Sequence, residues 1–197
     1  MQMFKYLLVP LLISISICLS CNEKKAINNY GVSEEPGTYL PLKDLILGEL
    51  AGLDTLQLNP LYTITRNNKT DSVWMKRGDI MKFSAPFLLK GTDTVTMKKF
   101  FIAKSFLDRS LNSVTISYDP GGTLPDSIAL RHCDIYIDPV TQTIKRIYMV
   151  EESKDGDHNK IQLTWKPGSS ATITTIGKET NEAQVKVEKM IWNFDTE

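Results

Sequence analysis

The sequence predicts an α+β fold: N-terminal helices packed on one face of a curved antiparallel β-meander sheet. Three observations carry this. Apolar residues between Pro41 and Leu53 recur at helical spacing. From Ser113 onward, six runs alternate apolar and polar residues with a period of two. The connectors between those runs are short and rich in Gly, Pro, Asp, Asn and Ser, so consecutive strands must return antiparallel. Helices first and strands afterwards is the α+β order. The length, 197 residues, suits one domain. Hydrophobic residues make up 42% and charged residues 23%, a globular and not a disordered composition. Lys+Arg and Asp+Glu both number 23, which argues against a nucleic-acid partner.

The first segment is an address. Lys5 supplies a short positive region, and Tyr6 to Leu19 is apolar apart from Pro10 and two serines. Such a layout is a secretory signal. The run is shorter than the roughly 20 residues that cross a bilayer. Leu19 and Ser20 before Cys21 resemble the cleavage box of bacterial lipoproteins, although Cys18 stands where that pattern usually has an aliphatic residue. The resemblance implies a signal peptide over 1–20 and a lipid attached to Cys21; ordinary signal cleavage is the alternative. Asn22 in place of Asp, by resemblance to a bacterial sorting rule, implies the outer membrane. Residues 21–38 are polar and read as a linker, spanning roughly 20–25 Å. A single α+β domain then occupies 39–197. Once Cys18 and Cys21 are spent, Cys133 remains alone, and the fold must hold without an internal disulfide.

The first helix is expected over about residues 41–54, with Leu42, Leu45, Ile46, Glu49, Leu50 and Leu53 on one stripe. Pro41 suits its first turn. Gly48 and Gly52 weaken it and point to close packing on a sheet. A hairpin follows, from Tyr62 to Met75 around a turn-rich NNKTDS. Asp79 is expected to cap a short helix that Pro86 ends, and this helix is expected to cover Trp74; a binding surface is the other reading of that side chain. Another short helix is expected near Thr96, and residues 102–108 fit either helix or strand. The final strand carries Val185 and Val187 in one phase, Met190, Trp192 and Phe194 in the other. A β-bulge near Glu188 or Lys189 would reconcile them.

Chemistry candidates are few. His132-Cys133-Asp134 holds one of two histidines. On a strand Cys133 faces away from its neighbours, which excludes a Cys–His nucleophile, whereas His132 and Asp134 share a face. Cys133 reads as a small buried hydrophobe. His158 lies far along the chain, and Asp155-Gly156-Asp157-His158-Asn159 lacks calcium-loop spacing, so a solvated turn is expected and no metal. No serine-hydrolase elbow, zinc-protease helix, phosphate loop or dinucleotide fingerprint occurs. No catalytic residue and no cofactor is assigned.

Leu40-Pro41-Leu42-Lys43-Asp44, Lys69-Thr70-Asp71-Ser72, and Tyr136-Ile137-Asp138-Pro139 leading to Ile144-Lys145-Arg146-Ile147-Tyr148 resemble an uncharacterised family of bacterial lipoproteins. That resemblance carries no activity. The meander with Asp-Pro turns is similar in architecture to periplasmic lipoprotein carriers of the Lol type, which implies an antiparallel sheet around helices with an apolar cavity. Three functions follow as expectations. The first is a non-catalytic, lipid-anchored cell-envelope domain that binds a protein partner or supports an assembly. The second is a carrier of lipid or another apolar ligand. The third is an envelope enzyme using His132 and Asp134.

Overall fold

The computed structural model describes residues 38–55, 58–89, 91–152, 160–179 and 182–194. Helix α1 spans Leu42–Thr55, α2 Arg77–Ser84 and α3 Thr94–Phe100, with a 3-10 turn at Ala85–Leu88 after α2. Nine strands, β1 Leu61–Arg66, β2 Lys69–Trp74, β3 Phe101–Asp108, β4 Ser113–Pro120, β5 Leu130–Ile137, β6 Ile144–Glu152, β7 Lys160–Lys166, β8 Ser170–Glu179 and β9 Glu182–Ile191, form one open antiparallel sheet. Their order is β2-β1-β9-β8-β7-β6-β5-β4-β3. The fold is therefore α+β and mostly sheet. The signal segment, Cys21, the linker up to residue 37 and the Asp155–Asn159 turn lie outside the described residues.

Register explains the core. One cross-strand row runs through Tyr62, Met190, Ala171, Trp165, Ile147 and Ile135. The next runs through Ile173, Leu163, Met149, Cys133, Tyr118 and Ala103. From β8 to β4 nearly every member of these rows is fully buried. Leu42, Ile46, Leu50 and Leu53 of α1 belong to the same core, and Phe87 of the 3-10 turn meets Trp165 edge-on at 5.2 Å. Each such aliphatic burial stabilises by about 1.5–3 kcal/mol. Glu49 lies on the α1 stripe because its Oε2 accepts the Gly168 N–H, 2.7 Å away. That amide sits in a Pro167-Gly168 turn, whose Gly168 has φ +70° and needs no Cβ accommodation. The opposite sheet face is rich in threonine: Thr63, Thr164, Thr172 and Thr174 stand on it.

Several expectations are corrected. Residues 101–108 are strand β3, so the meander has seven strands. It gains its first strand from a segment whose exposed Ile102 and Leu107 blurred the alternation. No bulge occurs at Glu188 or Lys189, because β9 keeps continuous register with both β8 and β1. Instead Lys186 and Glu188 stand on the Met190 face as an ion pair, 2.7 Å apart, and the valines go to the other face. The sheet's irregularities lie in β5, between Leu130 and His132 and between Tyr136 and Ile137. Asp79 is inside the first turn of α2 and Lys76 is its N-cap residue; it is Asp93 that caps, accepting the Thr96 N–H before α3. Cβ atoms added at Gly48 and Gly52 would meet nothing within 4 Å, so these glycines serve no close packing.

Candidate functional site

Two candidate sites lie on opposite faces of the sheet. The first surrounds His132. Ser117 faces Asp134 and Tyr118 faces Cys133 across β4 and β5, which places Asp119 opposite His132 on the shared polar face. The His132 ring is held on both sides: Nδ1 lies 2.7 Å from an Asp119 carboxylate oxygen and Nε2 3.0 Å from Asp134. The hydrogen bond to Asp134, with that to Asp119, raises the imidazole pKa to about 9 against the opposing effect of burial. His132 is thus an imidazolium at neutral pH, donating from both nitrogens. Burial opposes ionisation of Asp134, but hydrogen bonds from His132 and Ser117 outweigh it and hold its carboxyl below the usual range. The Tyr136 hydroxyl also donates to Asp134, at 3.2 Å. A general base needs a free lone pair near its working pH. Both nitrogens of this ring are engaged by carboxylates, so His132 and Asp134 do come together, with Asp119, as a charge cluster. Cys133 is fully buried on the other face, where desolvation pushes its thiol pKa far up. The sequence pairs His132 with Asp134; Asp119 was missed, because its position depends on a cross-strand register that alternation alone does not give.

The second site is a groove on the apolar face, beside α2. Its volume is about 690 Å³. Tyr62, Val73, Phe83, Ile161 and Ile173 supply apolar wall, and Trp74, Met75 and Pro86 extend it. The groove exists because the apolar rows outrun the helices. Phe83 of α2 meets Tyr62 edge-on at 6.0 Å, and beyond that contact the sheet is open. Val73 and Trp74 are 60% and 62% exposed on the edge strand β2, although both are large hydrophobes. Trp74 is therefore not covered by α2, as a core reading expects; it packs edge-on against Phe194 at 6.4 Å. Polar groups converge on the same space: Lys76 at the N-cap of α2, Asp79 and Lys82 from α2, Thr175 from β8 and Glu188 from β9. The Tyr62 hydroxyl donates to Glu188 at 2.7 Å. Burial, then that hydrogen bond, pushes the Tyr62 pKa up to about 12. Burial works against the charge on Glu188, but bonds from Lys186 and Tyr62 keep its carboxyl low.

An apolar cleft of this size with a few convergent polar groups is the usual form of a small-molecule site. Its walls come from five strands and a helix that are distant in sequence, which is why no local motif announces it. Among the described residues, no group of three or more His, Cys, Asp or Glu side chains is arranged to hold a metal ion. No described helix is long and apolar enough to cross a membrane. No family model, curated protein or solved structure matches the chain.

Proposed function

We propose that this protein is a non-catalytic binding protein of the bacterial cell envelope, anchored by lipid on Cys21, whose groove beside α2 holds an apolar ligand such as an acyl chain. The helices act as a partial lid over the apolar face of a curved sheet. The observation that carries the reading is the 690 Å³ groove walled by Tyr62, Phe83, Ile161 and Ile173. The resemblances at Leu19-Ser20-Cys21 and in the Asp-Pro meander support the anchor and the carrier-like architecture. Native mass spectrometry after exposure to membrane extract tests it. A bound apolar molecule of defined mass is expected, and Thr175→Trp, which fills the groove, is expected to lose it while keeping the fold. A ligand-free mass for the unmodified protein overturns the carrier reading. Cys21→Ser is expected to release the protein from membranes into the soluble fraction.

A second reading has its own support. Strand β2 is exposed along its whole length at the edge of the sheet, the large apolar side chains of its own Val73 and Trp74 included. Unpaired edge amides and carbonyls can take an extended segment of a partner protein as a further strand. Cross-linking in the envelope separates this from the carrier reading, because a β2 partner survives Thr175→Trp.

A further inference from the structure

The row of sheet positions that leads out of the groove is cationic. Ile161 and Thr175 line the groove, and Thr175 is directly opposite Lys186. Lys186 in turn faces Arg66, which faces Lys69. Three positive side chains therefore stand at consecutive positions of one cross-strand row, on the groove's face of the sheet. Like charges directly opposite each other destabilise a sheet pair. Lys186 has an answer in Glu188, 2.7 Å away. Arg66 and Lys69 form no ion pair among the described residues, and neither do Lys76 and Lys82 on the α2 side. The Arg66 charge is nevertheless felt inside the site: it favours the ionised forms of both Glu188 and Tyr62. The carboxylates nearby are fewer. Glu188 is committed to Lys186 and Tyr62, and Glu151, opposite Ile161 at the inner end of the same row, is buried with its ionisation disfavoured, leaving Asp71 and Asp79 against Arg66, Lys69, Lys76 and Lys82.

We infer that the groove selects a single-chain amphiphile with an anionic head, its hydrocarbon tail against Tyr62, Phe83 and Ile173 and its head against Arg66 and Lys69. This deepens the carrier reading and rests on it. Tail burial supplies affinity in proportion to apolar area and is indifferent to charge. The exposed cations add selectivity for the sign of the head, and salt screens that part.

Isothermal titration of the purified protein with dodecanoate, dodecanol and dodecyltrimethylammonium tests the inference, since the three share a tail and differ in charge. Dodecanoate is expected to bind about tenfold tighter than dodecanol, with the cationic detergent weakest. Arg66→Gln/Lys69→Gln is expected to remove that advantage and leave dodecanol unchanged. Both residues are exposed on the hairpin, so the fold tolerates the change; thermal unfolding is expected to show an unchanged or slightly higher midpoint, from relieved repulsion. The charge-reversed pair Arg66→Glu/Lys69→Glu is expected to invert the preference. Equal affinities for all three ligands overturn the anionic selection and leave the groove as a binder of apolar chains. Binding by none of them overturns both.

Discussion

At the scale of single residues, His132 and Glu151 give opposite predictions for the same chemistry. The folded-state pKa of His132 is about 9, above its ordinary value of 6.5, so its contribution is full below 6.5 and is lost as pH rises through 9. His132→Gln is expected to cost roughly 1–2 kcal/mol near neutral pH, discounted because Asp119 is half exposed, and nothing above about pH 10. Chemical denaturation across that range, comparing both proteins, measures the closing gap. Glu151 is 3% exposed, its Oε1 has no hydrogen-bond partner, and burial alone raises its pKa to about 7. Its raised pKa costs stability progressively as pH climbs from its ordinary value of 4.5 through 7, and the cost is complete above that. Glu151→Gln should therefore stabilise by about 2 kcal/mol at alkaline pH and by nothing near pH 4. An equal effect at both pH values would assign the change to packing.

At the scale of elements, α1 is held by its stripe and not by its propensity. Ile46 is fully buried in the core, and Ile46→Ala is expected to cost about 2–4 kcal/mol in the same denaturation experiments. Gly48 and Gly52 face open space, so each substitution by Ala should stabilise by about 0.5–1 kcal/mol. Most elements were legible. Leu42 to Leu53 gave a helix through periodicity, and Ile161-Gln162-Leu163-Thr164-Trp165 gave a strand through alternation. The hairpin was legible but its turn is shorter than the expected Asn67–Ser72 run: Asn67 and Asn68 make it alone, since Asn tolerates the φ values of +49° and +61° there, and Lys69 to Ser72 already belong to β2. The failures have local causes. Residues 102–108 are ambiguous in the sequence because an edge strand leaves Ile102 and Leu107 exposed. The valines of β9 suggested a bulge because the apolar face was assumed to stay apolar to its end. It becomes charged at Glu188 and Lys186 instead, and that change marks the candidate site. No sequence pattern could show that α2 stops short of covering Tyr62 and Val73, since where a helix rests is a tertiary outcome.

At the scale of the whole molecule, the sheet is protected at its centre and open at both ends. Strands β5 to β8 carry the fully buried rows, whereas β2 is exposed throughout and β3 forms the other edge. Amide hydrogen exchange is expected to be slowest in β6 and β7 and fastest in β2, and uniform protection would contradict this account of the core. The sheet order has a further consequence, for the way the chain folds. Of the sheet's eight strand pairings, the six from β3 to β9 and that of β1 with β2 join sequence neighbours and close short loops. The pairing of β1 with β9 joins Leu61 to Ile191 across most of the chain. Loop-closure entropy makes such a contact slow to form, and it raises the contact order of a fold that is otherwise local. The hairpin that walls the groove has no sheet to join until the last strand exists. A refolding chain should therefore gain its central sheet early and the groove last, and a chain cut before Glu182 should keep neither the β1 edge nor the groove.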